Sequence, residues 1–135
     1  MDKREIIINN YEKPFHRGLK EKNDYLKIKV NNNECIDELE LMVKLEDGII
    51  KDILFDGEAC MIVIASTSIL IKNLIGLPIE EGLKMLDEYE KMIEQKEYDK
   101  ELLKELVVFD DIYRQPSRKT CTLLSTIGLK KIIKK

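Results

Sequence analysis

Residues 38–55 read E-L-E-L-M-V-K-L-E-D-G-I-I-K-D-I-L-F, and this stretch decides the fold class. Leu39, Leu41, Val43 and Leu45 fall on every second position, the period of a half-buried strand. Asp47-Gly48 then supplies the residue pair that favours a tight hairpin. Ile49 to Phe55 continues with Ile50, Ile53 and Phe55, a less regular alternation. Upstream, Asp24 to Asn31 repeats the pattern, with Leu26, Ile28 and Val30 alternating with lysines. Together these segments predict an antiparallel meander of three strands.

Both exits of the meander carry chemistry. The link between the first two strands, Asn31 to Asp37, reads N-N-N-E-C-I-D. It sets the thiol of Cys35 two residues from the carboxylate of Asp37, and on an extended segment such positions share a face. The third strand is closed by Asp56-Gly57-Glu58-Ala59, which delivers Cys60. We therefore expect the strands to bring thiols and a carboxylate toward one metal ion.

Helices account for the rest. Asp2 caps a segment running to Glu12, ended by Pro14. Cys60 to Asn73 is rich in β-branched residues, which favour strand, yet it is longer than a usual strand of about 5–6 residues. Its Ala65, Ser66 and Ser68 suit a closely packed helix, so we read it as a buried helix ended near Gly76. Pro78 opens a second helix, which carries Leu83, Leu86, Tyr89 and Ile93 at helical spacing. Glu97 to Val108 is expected to be helical and Asp110 to Arg114 a loop. Pro116 to Thr120 leads into a last helix with Cys121 near its start, followed by Leu124, Ile127, Leu129 and Ile132. No repeat or linker interrupts the chain. The expectation is one α+β domain over residues 1–135, a three-stranded antiparallel sheet packed against about five helices on one face.

Composition narrows the function. The chain has 135 residues, enough to bury roughly two-thirds of the surface of its unfolded form. Charged residues make up 36% of it, 23 basic against 26 acidic, for a net charge of −3. Nucleic-acid binding wants a basic excess, so no nucleic-acid partner is expected. The cluster Lys130, Lys131, Lys134 and Lys135 is read as solvating a C-terminal helix and complementing its dipole. No apolar run approaches the roughly 18 residues of a membrane span, and the N-terminus lacks the apolar core of a signal peptide. The expected compartment is the cytoplasm, where the three cysteines remain free thiols.

Free thiols in such a compartment are core residues, nucleophiles or metal ligands. Cys60 follows a strand and opens a helix, where the positive end of the helix stabilises a thiolate. Cys121 lies near Arg118 and Lys119, and nearby cations act in the same direction. Three thiolates and a carboxylate can make a tetrahedral zinc site, and thiolates equally hold iron–sulfur clusters. The same donors disfavour magnesium and calcium. His16, the only histidine, is read as a hydrogen-bonding loop residue, and Glu80, Glu81, Asp87 and Glu88 as a solvated helix face. There is no C-x-x-C pair and no Gly-rich phosphate loop.

The order of these features resembles the U-type iron–sulfur cluster assembly proteins, the IscU/SufU family, through nearly the whole chain. Tyr11 to Gly18, Y-E-K-P-F-H-R-G, looks like the family's Y-x-x-P-x-x-x-G segment. Asn31 to Asp37 is a degraded form of its N-P-x-C-G-D loop. Phe55 to Cys60, F-D-G-E-A-C, is similar to F-x-G-x-G-C, and Ala65 to Ser68 to the Ala/Ser-rich helix behind it. Pro116 to Cys121, P-S-R-K-T-C, resembles P-x-R-x-x-C. Asn32, Ile36 and Ala59 stand where the family has proline, glycine and glycine. The segment containing Lys96-Glu97-Tyr98-Asp99 looks like an insertion of the SufU branch. Thr120 stands where IscU proteins carry a histidine ligand.

The resemblance implies a SufE/IscU-like fold and a sulfur-relay partner of a SufS-like cysteine desulfurase rather than a stand-alone enzyme. It implies Cys35, Asp37, Cys60 and Cys121 as zinc ligands, Cys35 as the acceptor of persulfide sulfur and Arg118 as a neighbour of the metal. It also implies downstream iron–sulfur assembly proteins as partners. The alternative it implies is a scaffold that assembles and hands on a [2Fe-2S] cluster held by Cys35, Cys60 and Cys121. A third reading is a structural zinc-binding interaction module.

Overall fold

The computed structural model describes residues 2–20, 24–31 and 37–134. Three strands, β1 (Leu26–Asn31), β2 (Glu38–Glu46) and β3 (Ile49–Glu58), form an antiparallel sheet in the order β1-β2-β3. Asp47 and Gly48 both have positive φ, +53° and +74°, the requirement of the tight turn expected there. The uneven alternation of β3 has a physical cause. Lys44 pairs with Asp52 but Leu45 pairs with Ile50, so Lys51 is an extra, bulged residue. The bulge lets Ile50 and Ile53 both enter the core, although their spacing is odd.

Among the described residues, six α-helices follow the expected order: α1 (Lys3–Glu12), α2 (Met61–Leu74), α3 (Ile79–Ile93), α4 (Lys100–Leu103), α5 (Pro116–Thr122) and α6 (Leu124–Ile133). Asp2 caps α1, its carboxylate accepting the Glu5 N–H at 2.9 Å. Helix α2 is buried as expected, and its buried hydroxyls are satisfied within the helix or by Asn10 of α1. The hydroxyls of Ser66 and Thr67 donate to the Val63 carbonyl at 3.1 and 2.7 Å, and that of Ser68 to Asn10 Oδ1 at 2.8 Å. The bonds to Val63 are the local back-bonds by which Ser and Thr satisfy their hydroxyls inside a helix.

One main core joins the inner face of the sheet (Val30, Leu39, Leu41, Val43, Ile53, Phe55) to the helices. Helix α6 crosses β1 and β2 with Gly128 at the contact, where a Cβ would lie 2.7 Å from Leu41 Cδ1. The outer face carries a small cluster of Tyr25, Met42 and Leu54. Residues 16–18 run along β3, with Gly18 N–H donating to Phe55 O at 2.7 Å and Phe55 N–H to His16 O at 3.2 Å. His16 is a hydrogen-bonding loop residue, its Nδ1 3.1 Å from both Ile53 O and Asp52 Oδ1.

Three expectations are corrected. The helix over Glu97 to Val108 is only α4, followed by a 3-10 segment from Lys104 to Phe109. The α-helical path stops at Lys104, whose φ of +51° and ψ of −124° are not helical, and the 3-10 segment beyond it buries Leu106, Val108 and Phe109. The loop over Asp110 to Arg114 contains a 3-10 turn, Ile112–Arg114, which buries Ile112. The last helix is two, broken at Leu123 (φ −91°, ψ −3°), so Cys121 lies in the final turn of α5 and not near a helix start. Pro116, at the first helical position, starts α5 earlier than expected. The lysine cluster also does more than solvate. Lys130 pairs with Asp87 and, at 2.9 Å, with Glu90, which ties α6 to α3.

Candidate metal centre

The site is a consequence of strand register. Glu38 pairs with Glu58 and Leu39 with Gly57, so Asp37, one residue before β2, lies beside the chain leaving β3. Only glycine allows this approach. Gly57 has φ +143°, and a Cβ there would stand 2.1 Å from the Glu38 carbonyl oxygen. Beyond Gly57 the chain turns through Ala59 into Cys60, the N-cap of α2. The backbone N–H of Cys60 donates to Asp37 Oδ1 at 2.9 Å, and its carbonyl accepts from Ile64 N–H at 3.1 Å. The Cys60 side chain takes no part in capping, so its sulfur is not committed to the helix end. Helix α5 packs on α2 and brings Cys121 to the same point.

One ligand atom from each of Asp37, Cys60 and Cys121 lies within 4.8 Å of the other two. Two donors at about 2.3 Å from one ion stand at most about 4.6 Å apart, so small side-chain rotations close this group on a metal. Asp37 and Cys121 are buried, at 4% and 6% exposure, and Cys60 is half-buried. Two thiols and one carboxylate fit zinc or iron and fit magnesium or calcium poorly. They leave one corner of a tetrahedron. Cys35, the fourth ligand expected from sequence, lies outside the described residues, as do Asn32 and Ile36. Arg118 is half-buried, one turn before Cys121 on α5, and its carbonyl accepts the Thr122 hydroxyl at 2.6 Å. Thr120 is exposed.

Two charged residues not singled out in the sequence bind the strand ends that deliver Asp37 and Cys60. Lys29 Nζ is 2.6 Å from Glu38 Oε1, and this bond holds its ammonium above the ordinary lysine range. Arg17 Nε donates to Asp56 Oδ1 at 3.2 Å and Nη2 to Gly57 O at 2.9 Å. Arg17 lies 40 residues from Gly57, and no local spacing links them. Gly57 itself carried a signal, since an isolated glycine at a strand end marks a close backbone approach.

The NifU-like N terminal domain matches residues 2–131. The chain belongs to the NifU-like N-terminal domain family. Among NifU-like relatives, the iron-sulfur cluster assembly scaffold protein IscU of Thermotoga maritima is 38% identical over 104 residues, 77% of this chain and 73% of that protein. The zinc-dependent sulfurtransferase SufU of Bacillus subtilis is 32% identical over 133 residues, 98% and 89% of the two chains. A solved scaffold protein for the SUF system from Fervidobacterium islandicum superposes with a TM-score of 0.85 at 30% identity, over 93% of this chain and 92% of that one. The NifU-like fold recurs in a Brucella abortus protein at TM-score 0.85 and 21% identity, covering 96% and 90%. Among the described residues, no helix is long and apolar enough to cross a membrane.

Proposed function

We propose that this chain works in iron–sulfur cluster biogenesis as a zinc-bound acceptor of persulfide sulfur from a SufS-like cysteine desulfurase in the cytoplasm, upstream of other assembly proteins. The convergence of Asp37, Cys60 and Cys121 within 4.8 Å is the observation that carries this reading. Cys35 completes the set, two residues before Asp37 on the same segment. Bound zinc would keep the thiols deprotonated at neutral pH.

Each residue then has a task. Asp37 holds the start of α2 through the Cys60 N–H and offers its second oxygen to the metal. Cys60 and Cys121 stay as anchors on α2 and α5. Cys35, on the link ahead of β2, is the thiolate that attacks. It bonds to the outer sulfur of the desulfurase persulfide, the S–S bond of the donor breaks, and the donor cysteine leaves as thiolate. The proton of the outer sulfur travels with it, so Cys35 ends as a persulfide. Arg118, one turn from Cys121, is the cation beside the site.

The test is Cys35→Ser. The variant is expected to abolish stimulation of the cognate desulfurase, and undiminished stimulation overturns the acceptor role. The cysteine content of the same group favours a second reading, in which Cys35, Cys60 and Cys121 hold a [2Fe-2S] cluster as cargo. Anaerobic reconstitution with iron and sulfide decides between the two. A stable chromophore that passes to an apo-acceptor supports the scaffold.

A further inference from the structure

The strand ends that deliver Asp37 and Cys60 carry charges in an unfavourable arrangement. Across β2 and β3, Glu40 stands directly opposite Asp56, and Glu38 opposite Glu58. Like charges at directly opposed positions push strands apart. Both pairs lie within four residues of Asp37 or Cys60, where separation of the strands would pull those two residues apart.

Each pair has cations beside it, and Lys29 also stands directly opposite Glu40 across β1 and β2. Lys29 engages Glu38, and Arg17 engages Asp56. Arg17 does more than supply charge. Its guanidinium grips the Asp56 carboxylate and the Gly57 carbonyl together, while Asp56 Oδ1 also accepts the Gly57 N–H at 2.8 Å. Gly57 is the residue that lets β3 approach Glu38 closely. The segment bearing Arg17 is itself pinned to Phe55 by the bonds of His16 and Gly18.

We propose that Arg17 is a positioning residue for the Asp37–Cys60–Cys121 group: it fixes Asp56 and Gly57 at the end of β3 and neutralises the Asp56 carboxylate that faces Glu40 on β2, so that the three ligands keep their spacing. This rests on the metal-binding reading above. The Arg17 side chain is 38% exposed, and an exposed ion pair contributes little to global stability. The clamp therefore acts locally, and metal affinity is expected to respond more than thermal stability does. Partners that hydrogen-bond a ligand directly change metal affinity by roughly 10–100-fold; Arg17 acts one residue further out, through Asp56 and Gly57, so the low end of that range is expected.

Cobalt(II) is the probe, because its thiolate charge-transfer and d–d bands report both affinity and coordination geometry. The metal-free protein is titrated with Co²⁺ alongside Arg17→Ala, Arg17→Lys, Arg17→Ala/Asp56→Asn and Lys130→Ala. Arg17→Ala is expected to bind roughly tenfold more weakly with shifted d–d bands. Arg17→Lys restores part of the affinity, since it keeps the charge and loses the fork. Asp56→Asn on the alanine background also restores part, because it removes the repulsion with Glu40. Lys130→Ala, which removes both ion pairs of Lys130 between α6 and α3, leaves cobalt affinity unchanged while lowering stability. Wild-type cobalt affinity and spectrum in Arg17→Ala overturn the positioning role, as does an equal loss in Lys130→Ala. Absence of thiolate–cobalt bands in the wild type overturns the metal reading itself, and the inference with it.

Discussion

Asp37 Oδ1 accepts the backbone N–H of Cys60 at 2.9 Å, which joins the entry of β2 to the start of α2 independently of any metal. The same carboxylate thus serves the fold and the candidate centre. Two substitutions separate these duties. Asp37→Asn keeps an acceptor for the Cys60 N–H and removes the anionic ligand, so metal affinity falls while stability is largely kept. Asp37→Ala loses both and is expected to cost about 1.5–3 kcal/mol as well, the range for a hydrogen bond to a charged group. Chemical denaturation of the metal-free variants, paired with metal titration, distinguishes the two duties.

Gly57→Ala is expected to be far more damaging than its size suggests. Positive φ at +143° costs a residue with a Cβ about 1–3 kcal/mol, and here the Cβ meets a backbone oxygen, which no rotamer change relieves. A loss of at least about 3 kcal/mol and a weakened metal site are the expected outcome. Gly48→Ala, where the added Cβ meets nothing within 4 Å, should cost only the turn strain. Equal losses in the two variants would show that φ alone matters and that the close approach to Glu38 does not.

The sheet and the ligand convergence were legible because their signals are local or periodic. Alternation revealed β1 and β2, and Asp47-Gly48 revealed the hairpin; of the four groups expected at one site, Asp37, Cys60 and Cys121 come together, while Cys35 lies outside the described residues. The break-up of residues 97–109 was not legible, because Leu102, Leu103 and Leu106 fit a helical face. The break falls at Lys104, an exposed residue with φ +51° that carries no glycine or proline signal. The kink at Leu123 has no glycine or proline to announce it. Arg17 was invisible for a different reason, since its partners Asp56 and Gly57 are set beside it by the fold alone.

Tyr25 makes stability pH-dependent in the alkaline range. Burial, then its hydrogen bond to the Asp52 carboxylate, pushes its phenol from 10 up to about 12. The folded state therefore holds the proton after the unfolded state has released it. This contribution is fully present below pH 10 and is lost as pH rises toward 12. Tyr25→Phe should flatten the fall in stability between those two values, measured by denaturation at stepped pH. An unchanged slope would remove Tyr25 as a source of that dependence.

Lys104 offers a stabilising substitution. It is exposed, with φ +51° and ψ −124°, a region that side chains rarely occupy. Strain of this kind costs about 1–3 kcal/mol, whereas glycine adds up to about 1 kcal/mol of unfolded-state entropy. Lys104→Gly is expected to raise stability by about 1 kcal/mol, which calorimetry would register as a melting temperature higher by roughly 4 °C. A lower melting temperature would mean that the lysine side chain earns its strained backbone through a contact of its own.

Removing metal separates a sulfur-handling centre from a structural zinc module. The main core runs from the sheet through α2, α3 and α6 and contains large, fully buried side chains such as Phe55, Tyr89 and Phe109, far more apolar surface than a zinc finger has. Such a core does not depend on an ion to form. Metal bound only by the folded state still adds stability by mass action, about 4 kcal/mol at a free concentration a thousand times Kd. Chelation is therefore expected to lower the melting temperature while the far-ultraviolet circular dichroism at 25 °C stays native. Collapse of that signal on chelation would mean that the thiolates hold the fold together, and the structural zinc module would then displace the sulfur relay as the better account of Asp37, Cys60 and Cys121.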